Sequence, residues 1–294
     1  APATLNIIPH LEYNIGAFFP KQGMYGITRS LVALAESLGV TFHYNQPVRE
    51  IVAQDGRTTG IRLDAGQAAA AGLPETIEAD LVVSNMDVVN TYRRLLPRQR
   101  QPDFLLNQPK SSSALIFYWG IRKQFPELDL HNIFFSGDYR AEFDCLFNRK
   151  TLTGDPTVYL NITSKYKPGD APAGGENWFV MVNAPNNSGQ DWDALIEAAR
   201  RNILAKLSRL LGTDIAPLVA CEAILDPRTI ESRTSSAQGA LYGNASNNRY
   251  AAFLRHSNKS NRLKGLYFVG GSVHPGGGIP LSLLSAKIAV GMVE

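Results

Sequence analysis

Along the 294 residues, apolar and polar positions alternate in three regimes: two helical stripes, a series of strand-like runs, and one glycine-rich break near the C-terminus. Met24, Ile27, Leu31, Leu34, Ala35 and Leu38 recur at helical spacing, with Gly39 placed to close that helix in a left-handed turn. Trp192, Leu195, Ile196, Ala199, Ile203, Leu207 and Leu210 form a second stripe; Arg200, Arg201 and Lys206 lie off it, and Gly212 ends it. Residues 1–22, punctuated by Pro9, Gly16 and Pro20, predict extended or loop structure. Short strands follow at Thr41–Tyr44, Val48–Val52 and Gly60–Leu63, with Asp55-Gly56 as a turn. The alanine-rich segment 65–74 reads as a loop and Ile77–Ser84 as one buried strand. Ser113–Ile121, Asn132–Phe135, Thr157–Ile162 and Asn177–Val182 are rich in β-branched and aromatic residues and predict a sheet, and Val219–Leu225 predicts a further strand. Such bulky side chains either fill a core or wall a long apolar tunnel. Segments 232–243 and 246–250 read as polar loops.

The break near the C-terminus organises the rest. Leu266–Val269 is apolar and long enough only for a strand; Gly270–Gly278 then holds five glycines in nine residues. Ile279-Pro280 opens a helical pattern through Leu281, Leu284, Ser285, Ile288 and Met292, with Pro280 suited to a first turn. A strand, a glycine loop and a helix N-terminus together present free N–H groups to an anion such as a pyrophosphate. A flexible connector would have little use for His274-Pro275 inside the loop or for Pro280.

Phe-Val-Gly-Gly-Ser-Val-His-Pro-Gly-Gly-Gly-Ile-Pro, residues 268–280, closely resembles the C-terminal flavin signature of the phytoene desaturase family, the FAD-dependent carotenoid desaturases and isomerases. Phe19-Pro-Lys-Gln-Gly-Met-Tyr25 with the helix there, Pro47-Val-Arg-Glu-Ile-Val52 and Ala79-Asp-Leu-Val-Val-Ser-Asn85 resemble the central flavin-domain segment of that family, and Tyr139–Phe143 and the polar loops after 232 follow in family order. The resemblance implies FAD as cofactor, held by Gly270, Gly271, Ser272, His274, Pro275, Gly276, Gly277, Gly278, Ile279 and Pro280, with the backbone of Val48 beside the adenine end. It implies an α+β fold: an α/β flavin-domain remnant (23–90 and 258–294) and a mixed or antiparallel β-sheet substrate domain (1–22 and 91–257), in a truncated form of the two-domain amine-oxidase and desaturase architecture. The Gly-x-Gly-x-x-Gly turn that opens such enzymes is absent; Gly276-x-Gly278 has Leu281 where the third glycine belongs. With Ala1 in place of an initiator Met, the expectation is a fragment that binds FAD weakly and whose parent is the enzyme.

Composition narrows the picture. A 44% hydrophobic content supports a packed core, and 29 basic against 26 acidic residues give no global argument for nucleic acid. No Asp or Glu occurs from Ser232 to Val293, where seven Lys and Arg residues lie, and Arg93, Arg94, Arg98, Arg100 and Lys110 face only Asp103. Both runs read as solvated charge or as a basic surface for a phosphate-bearing cofactor or an anionic membrane. Cys145 and Cys221 form no metal or disulfide pattern, so a reduced compartment is expected. His10, His43, His131 and His256 are dispersed, which argues against a metal site. His274 is the one titratable group inside the loop: a candidate for proton transfer, or an imidazole that holds the loop in shape.

The functional expectation is dehydrogenation of a C30 or C40 polyene by hydride transfer to flavin, in a cytoplasmic protein peripheral to the membrane. Arg255-His-Ser-Asn258 with the loop resembles the subgroup acting on already modified carotenoids. The alternatives are a carotenoid isomerase or oxygenase, a soluble amine oxidase, and a non-catalytic lipid-binding module. Exposed apolar edges left by the missing unit would favour a homo-oligomer.

Overall fold

Strand pairing sets where the chemistry of this chain lies. The structure, a computed structural model, describes residues 7–16, 18–245 and 255–293. It divides into two compact units, 1–47 with 63–75 and 48–62 with 76–294. The polar segment 246–250 lies outside the described residues.

The first unit is helical. Where a loop was expected, α1 spans Ile7–Ile15. Pro9 falls in its first turn, where the N–H it lacks has no intrahelical partner anyway. The stripe from Met24 becomes α2 (Tyr25–Ser37), closed as expected by Gly39 at φ +86°. Thr41–Tyr44 is not a strand, because among the described residues no neighbouring strand bonds its backbone; Phe42 and Tyr44 stack on each other, 5.8 Å apart. Residues 65–70 correct the loop expectation in the same way as α1. Asp64 accepts the Gln67 N–H at 3.2 Å and the alanine run then forms α3 (Ala65–Ala70).

The second unit holds three sheets. Strands β1 (Val48–Gln54) and β2 (Arg57–Leu63) meet across the Asp55-Gly56 turn, and β3 (Thr76–Glu78) pairs antiparallel with β2. The stretch 77–84 is therefore not one strand. It is shared between two sheets, since β4 (Val82–Ser84) pairs in parallel with β10 (Leu266–Phe268), placing Val82 opposite Leu266 and Ser84 opposite Phe268. Short α4 (Val88–Asn90), which continues into a wide turn at Thr91–Leu95, and α5 (Asp103–Leu106) follow β4.

Five strands build the large sheet, in the order β6 (His131–Phe134), β7 (Val158–Asn161), β8 (Glu176–Ala184), β5 (Ser113–Ile121), β9 (Val219–Leu225), with every observed pairing antiparallel. Helix α6 (Tyr139–Asp144) lies between β6 and β7 in sequence. Alternation along these strands sends two sets of side chains to opposite faces. Leu115, Phe117, Trp119, Val180 and Trp178 pack with Trp192, Ile196, Ile203 and Leu207 of α7 (Trp192–Leu211) in one core. Ile116, Tyr118, Phe179, Met181 and Tyr159 lie on the other face. There Tyr118 and Phe179 meet edge-on at 5.5 Å, and Tyr118 is 42% exposed. The β-rich run thus fills a core on one side and leaves Tyr118 partly uncovered against Phe179 on the other.

Two helices depart from expectation. Segment 227–234, partly read as polar loop, is α8 (Pro227–Thr234), with Pro227 in its first turn and Asp226 capping Thr229 N–H. In α9 (Ile279–Val290) the buried residues are Ser285, which the expected stripe includes, and Ala289, which it does not; Leu281 and Leu284 are exposed, and Met292 lies beyond its end. Lys206, off the apolar stripe of α7, is buried: its ammonium donates at 2.8 Å to Phe135 O, Pro156 O and Asp155 Oδ1. Among the described residues no helix is long and apolar enough to cross a membrane.

Lys206 ties the residues just after β6 and just before β7 to α7, and removing its ammonium leaves the carbonyls of Phe135 and Pro156 without that donor. Lys206→Met is expected to lower the unfolding free energy by roughly 2–4 kcal/mol. The off-stripe exposed Arg201→Met stays within about 0.5 kcal/mol; urea titrations of both variants check the contrast.

Candidate functional site

Both strands of the parallel pair β4–β10 end at the same level, and the groups beyond their carboxyl ends form the site. After β4 come Asn85 and Asp87; after β10 comes the glycine loop, then the N-terminus of α9. In open parallel sheets this is the place where ligands bind.

Main-chain bonds to a buried polar bracket hold the loop. Asn258 is 1% exposed, and its side-chain amide donates to Phe268 O at 3.0 Å, His274 O at 2.9 Å and Ser285 Oγ at 3.2 Å. Ser285 Oγ also accepts the Gly270 N–H at 2.8 Å. One carboxamide thereby ties β10, the loop and α9 together. His256, also buried, accepts the His274 N–H on its carbonyl. Its Nδ1 donates to Ser257 O at 2.7 Å, so Nε2 accepts from the Tyr92 hydroxyl at 3.0 Å, and burial holds the imidazole below its ordinary 6.5. Arg255, half-buried, spans Tyr242 O, Gly271 O and Asn244 O from beneath the loop.

The glycines are required for different reasons. A Cβ at Gly277 would stand 2.4 Å from Tyr242 Cδ1 and 3.1 Å from its Cα; Gly270, at φ +100°, would collide with Asn85 Oδ1 at 2.5 Å. Gly278 has φ +104° but open space around it. As the N-cap of α9 it carries no side-chain cap, so the N–H groups of Gly278 and Ile279 meet no acceptor among the described residues. An uncapped helix N-terminus facing open space suits an electron-rich group. The donor set and the cradle fit a flavin, whose ring gains negative charge on reduction.

Of the residues expected at the site, Gly270, Gly271, Ser272, His274, Pro275, Gly276, Gly277, Gly278, Ile279 and Pro280 lie together in the loop and first turn of α9. Val48 opens β1 and packs against the core that includes Val82, Leu266, Phe268 and Val273. His274 does not hold the loop through its ring: its main chain makes the bonds, while the exposed imidazole has no hydrogen-bond partner among the described residues. Sequence reasoning passed over Asn258, Ser285, Tyr92, Asn85 and Asp87. The signal for the first was the polar run Arg255–Asn258 beside a buried strand; for the last two it was their place just after an apolar run. Burial pushes the Asp87 carboxyl above its usual range, and it pulls the Lys110 ammonium, 7% exposed and bonded to Leu106 O and Asn244 Oδ1, down to about 8. Among the described residues no cluster of His, Cys, Asp or Glu could hold a metal.

Comparison with known proteins agrees with this geometry. The family model for flavin-containing amine oxidoreductases matches residues 7–293. The chain belongs to that family. It is 51% identical over 99% of its length to the 1-hydroxycarotenoid 3,4-desaturase of Flavobacterium sp. (strain P99-3), of which it covers 58%. It is 35% identical over 98% of its length to the 4,4'-diapolycopene oxygenase of Methylomonas sp., covering 57%, and 32% identical to the phytoene desaturase of Neurospora crassa, covering 50%. Among solved structures, an oxidoreductase from Methanosarcina mazei superposes with a TM-score of 0.63 at 18% identity, over 97% of this chain and 58% of that one, which shows a shared fold. The resemblance read from residues 268–280 stands, and the flavin it implied is the cofactor of this family. The chain spans a little over half the length of the relatives it matches.

Two outcomes follow for the bracket. Asn258→Ala leaves Phe268 O and His274 O buried without that donor and is expected to cost roughly 1–3 kcal/mol in denaturant unfolding. His256 has a depressed folded pKa, so as pH falls the unfolded chain takes up the proton first. Its contribution is complete above 6.5 and is lost below it, so the melting temperature falls on acidification, with a shallower slope in His256→Phe.

Proposed function

We propose that the whole protein dehydrogenates a carotenoid, removing two hydrogens from adjacent carbons so that a C–C single bond becomes a double bond. One hydrogen leaves with its electron pair as a hydride and the other as a proton. The observation that carries this reading is the loop 270–278: an uncapped helix N-terminus and a glycine cradle at the carboxyl end of the parallel pair β4–β10. Bound FAD supplies the two-electron acceptor for the hydride. The residues that hold it are Gly270, Gly271, Ser272, His274, Pro275, Gly276, Gly277, Gly278, Ile279 and Pro280, with Val48 at the far end through its backbone.

The substrate runs along the second face of the large sheet. The start of β5 adjoins the loop, since Leu241 N–H donates to Ser112 O and Gly277 packs against Tyr242, and Ile116, Tyr118 and Gly120 then lead outward along β5. They end in a cleft of about 530 Å³ walled by Tyr118, Phe179 and Ala223. Five to seven strand residues span roughly 17–23 Å, enough for much of an extended polyene. Few ionisable groups are needed; Asp170, Glu176 and Glu222, which also line the cleft, are paired with Lys167, Lys165 and Arg200. In this reading 23–90 and 258–294 form the flavin domain, as the β4–β10 pairing supports, while 1–22 and 91–257 form the substrate domain of an α+β two-domain enzyme of which this chain is part. The basic run Arg93–Arg100 with Phe104, 75% exposed, suits a peripheral membrane surface from which an apolar substrate is drawn, in the cytoplasm; uncovered apolar residues of α9 suit self-association.

The Methylomonas relative supports a second reading, oxygenation of a related polyene. Product analysis separates them: loss of two mass units for dehydrogenation, gain of oxygen for the alternative. In the whole protein, Gly277→Ala pushes the loop off Tyr242. Flavin is expected to bind about tenfold more weakly, equivalent to ~1.4 kcal/mol, measured by titration of the visible absorbance. Flavin affinity unchanged by this substitution would remove the loop from the cofactor site.

A further inference from the structure

The cleft at the far end of β5 is polar in composition but not in what it offers a ligand. Two of its carboxylates, Glu176 and Glu222, take the indole N–H groups of Trp178 at 2.8 Å and Trp119 at 2.6 Å, and each carries an ion pair besides. Thr163 Oγ1 donates to the third, Asp170, at 2.6 Å and accepts from the Asn177 amide at 2.7 Å. Asn177 Oδ1 takes the Ser164 N–H, and the Asn161 amide donates to Leu130 O. Each of these polar side chains is engaged by the protein itself. What is left uncovered is ring, methyl and thiol, from Tyr118, Phe179, Ala223 and Cys221. Such a surface takes hydrocarbon, because a polar group entering it would give up water for no new bond.

The cleft also has a defined depth. Gly120 leaves the outer face of β5 without a side chain, and Cys221, its partner on β9, leans into that gap: a Cβ at Gly120 would stand 2.6 Å from Cys221 Sγ. One residue further on, Gly175 lies so close to Ile121 O that a Cβ would come within 2.7 Å of it, and its N–H donates to Pro172 O at 3.0 Å. The turn that carries Ala171 and Pro172 is thereby fixed across the end of the strand.

We propose that this cleft is a chain-length gauge: it receives the hydrocarbon end of the polyene remote from the oxidised bond, and Cys221, lying over Gly120, is the residue that sets how far that end can pass. The inference rests on the carotenoid-dehydrogenase reading above. With the reacting bond at the loop, the chain follows β5, which advances about 23 Å between Ser113 and Gly120. A polyene that ends short of this point leaves the Cys221 thiol open to solvent. A longer one lies across the thiol and stops at the 170–172 turn. An obstruction at Cys221 would push the longer chain back and shift its reacting bond off the loop, which costs rate even where binding survives. Selection of this kind reads length alone and is indifferent to the end group held at the loop.

The test uses the whole flavin-loaded protein and two polyenes with identical end groups, one C30 and one C40. The first readout is chemical: alkylation of Cys221 by N-ethylmaleimide, followed by the mass of its peptide, with buried Cys145 as internal reference. Supplied at ten times its Kd, the C40 polyene is expected to slow alkylation roughly tenfold, and the C30 polyene clearly less. The second is kinetic. In Cys221→Phe the new ring covers a glycine from the neighbouring edge strand, a pairing that sheets accommodate. It is expected to lower kcat/KM for the C40 polyene roughly tenfold more than for the C30 polyene, with the flavin absorbance retained. Equal protection of Cys221 by both lengths, no protection by either, or an unchanged C40-to-C30 ratio in Cys221→Phe would overturn the gauge and leave the dehydrogenase reading standing. If flavin-loaded wild type dehydrogenated neither polyene, that reading would fall and the gauge with it.

Discussion

A single buried carboxamide carries the architecture around the site. Asn258 reaches the last carbonyl of β10, a carbonyl in the middle of the glycine loop and the hydroxyl of Ser285 on α9, which in turn takes the N–H of Gly270. Glycine-rich backbone has many conformations open to it, and the entropy lost in fixing it must be offset by specific bonds. Here those bonds come from buried side chains on the flanking segment and helix, so the loop keeps its outward-facing N–H groups free. A loop stabilised by its own internal bonds would have spent them.

The same economy appears beneath the loop. Arg255 meets three carbonyls and His256 is held neutral between Tyr92 and Ser257, so polar side chains are used to shape the backbone more than to do chemistry. That suits a reaction whose difficult step belongs to a cofactor. The protein has to provide orientation, a helix N-terminus toward developing negative charge, and exclusion of water.

The substrate path proposed above follows from the pleat of the large sheet. Because successive residues of β5 and β8 alternate sides, the strand that buries Phe117 and Trp119 against α7 must present Ile116 and Tyr118 on the other face. The core that stabilises the sheet and the apolar floor that leads away from the loop are thus two consequences of one backbone. Polarity rises again at the end nearest the loop, where Asn85, Asp87 and Ser272 gather at the strand ends.

What could be read in the sequence was local. The helical period of Trp192–Leu211 with its terminal Gly212, the alternation of Ser113–Ile121, and the strand–glycine–helix order of 266–290 are each encoded within a few neighbouring residues, and each appears in the structure. So does the family, because the glycine loop is one contiguous string. What the sequence left open depended on partners far along the chain. The run 77–84 looked like one strand because Ile77, Ala79, Leu81, Val82 and Val83 crowd into eight residues, yet hydrogen-bond partners at Thr59 and Gly265 split it between two sheets. Lys206 lay off the apolar stripe, yet three acceptors from the segments just after β6 and just before β7 enclose it. Asn258 and Ser285 lie 27 positions apart, and Asn85 reaches Gly270 across the parallel pair. Short-range periodicity determined the elements; only tertiary pairing decided which polar side chains would be buried, and so which ones build the site.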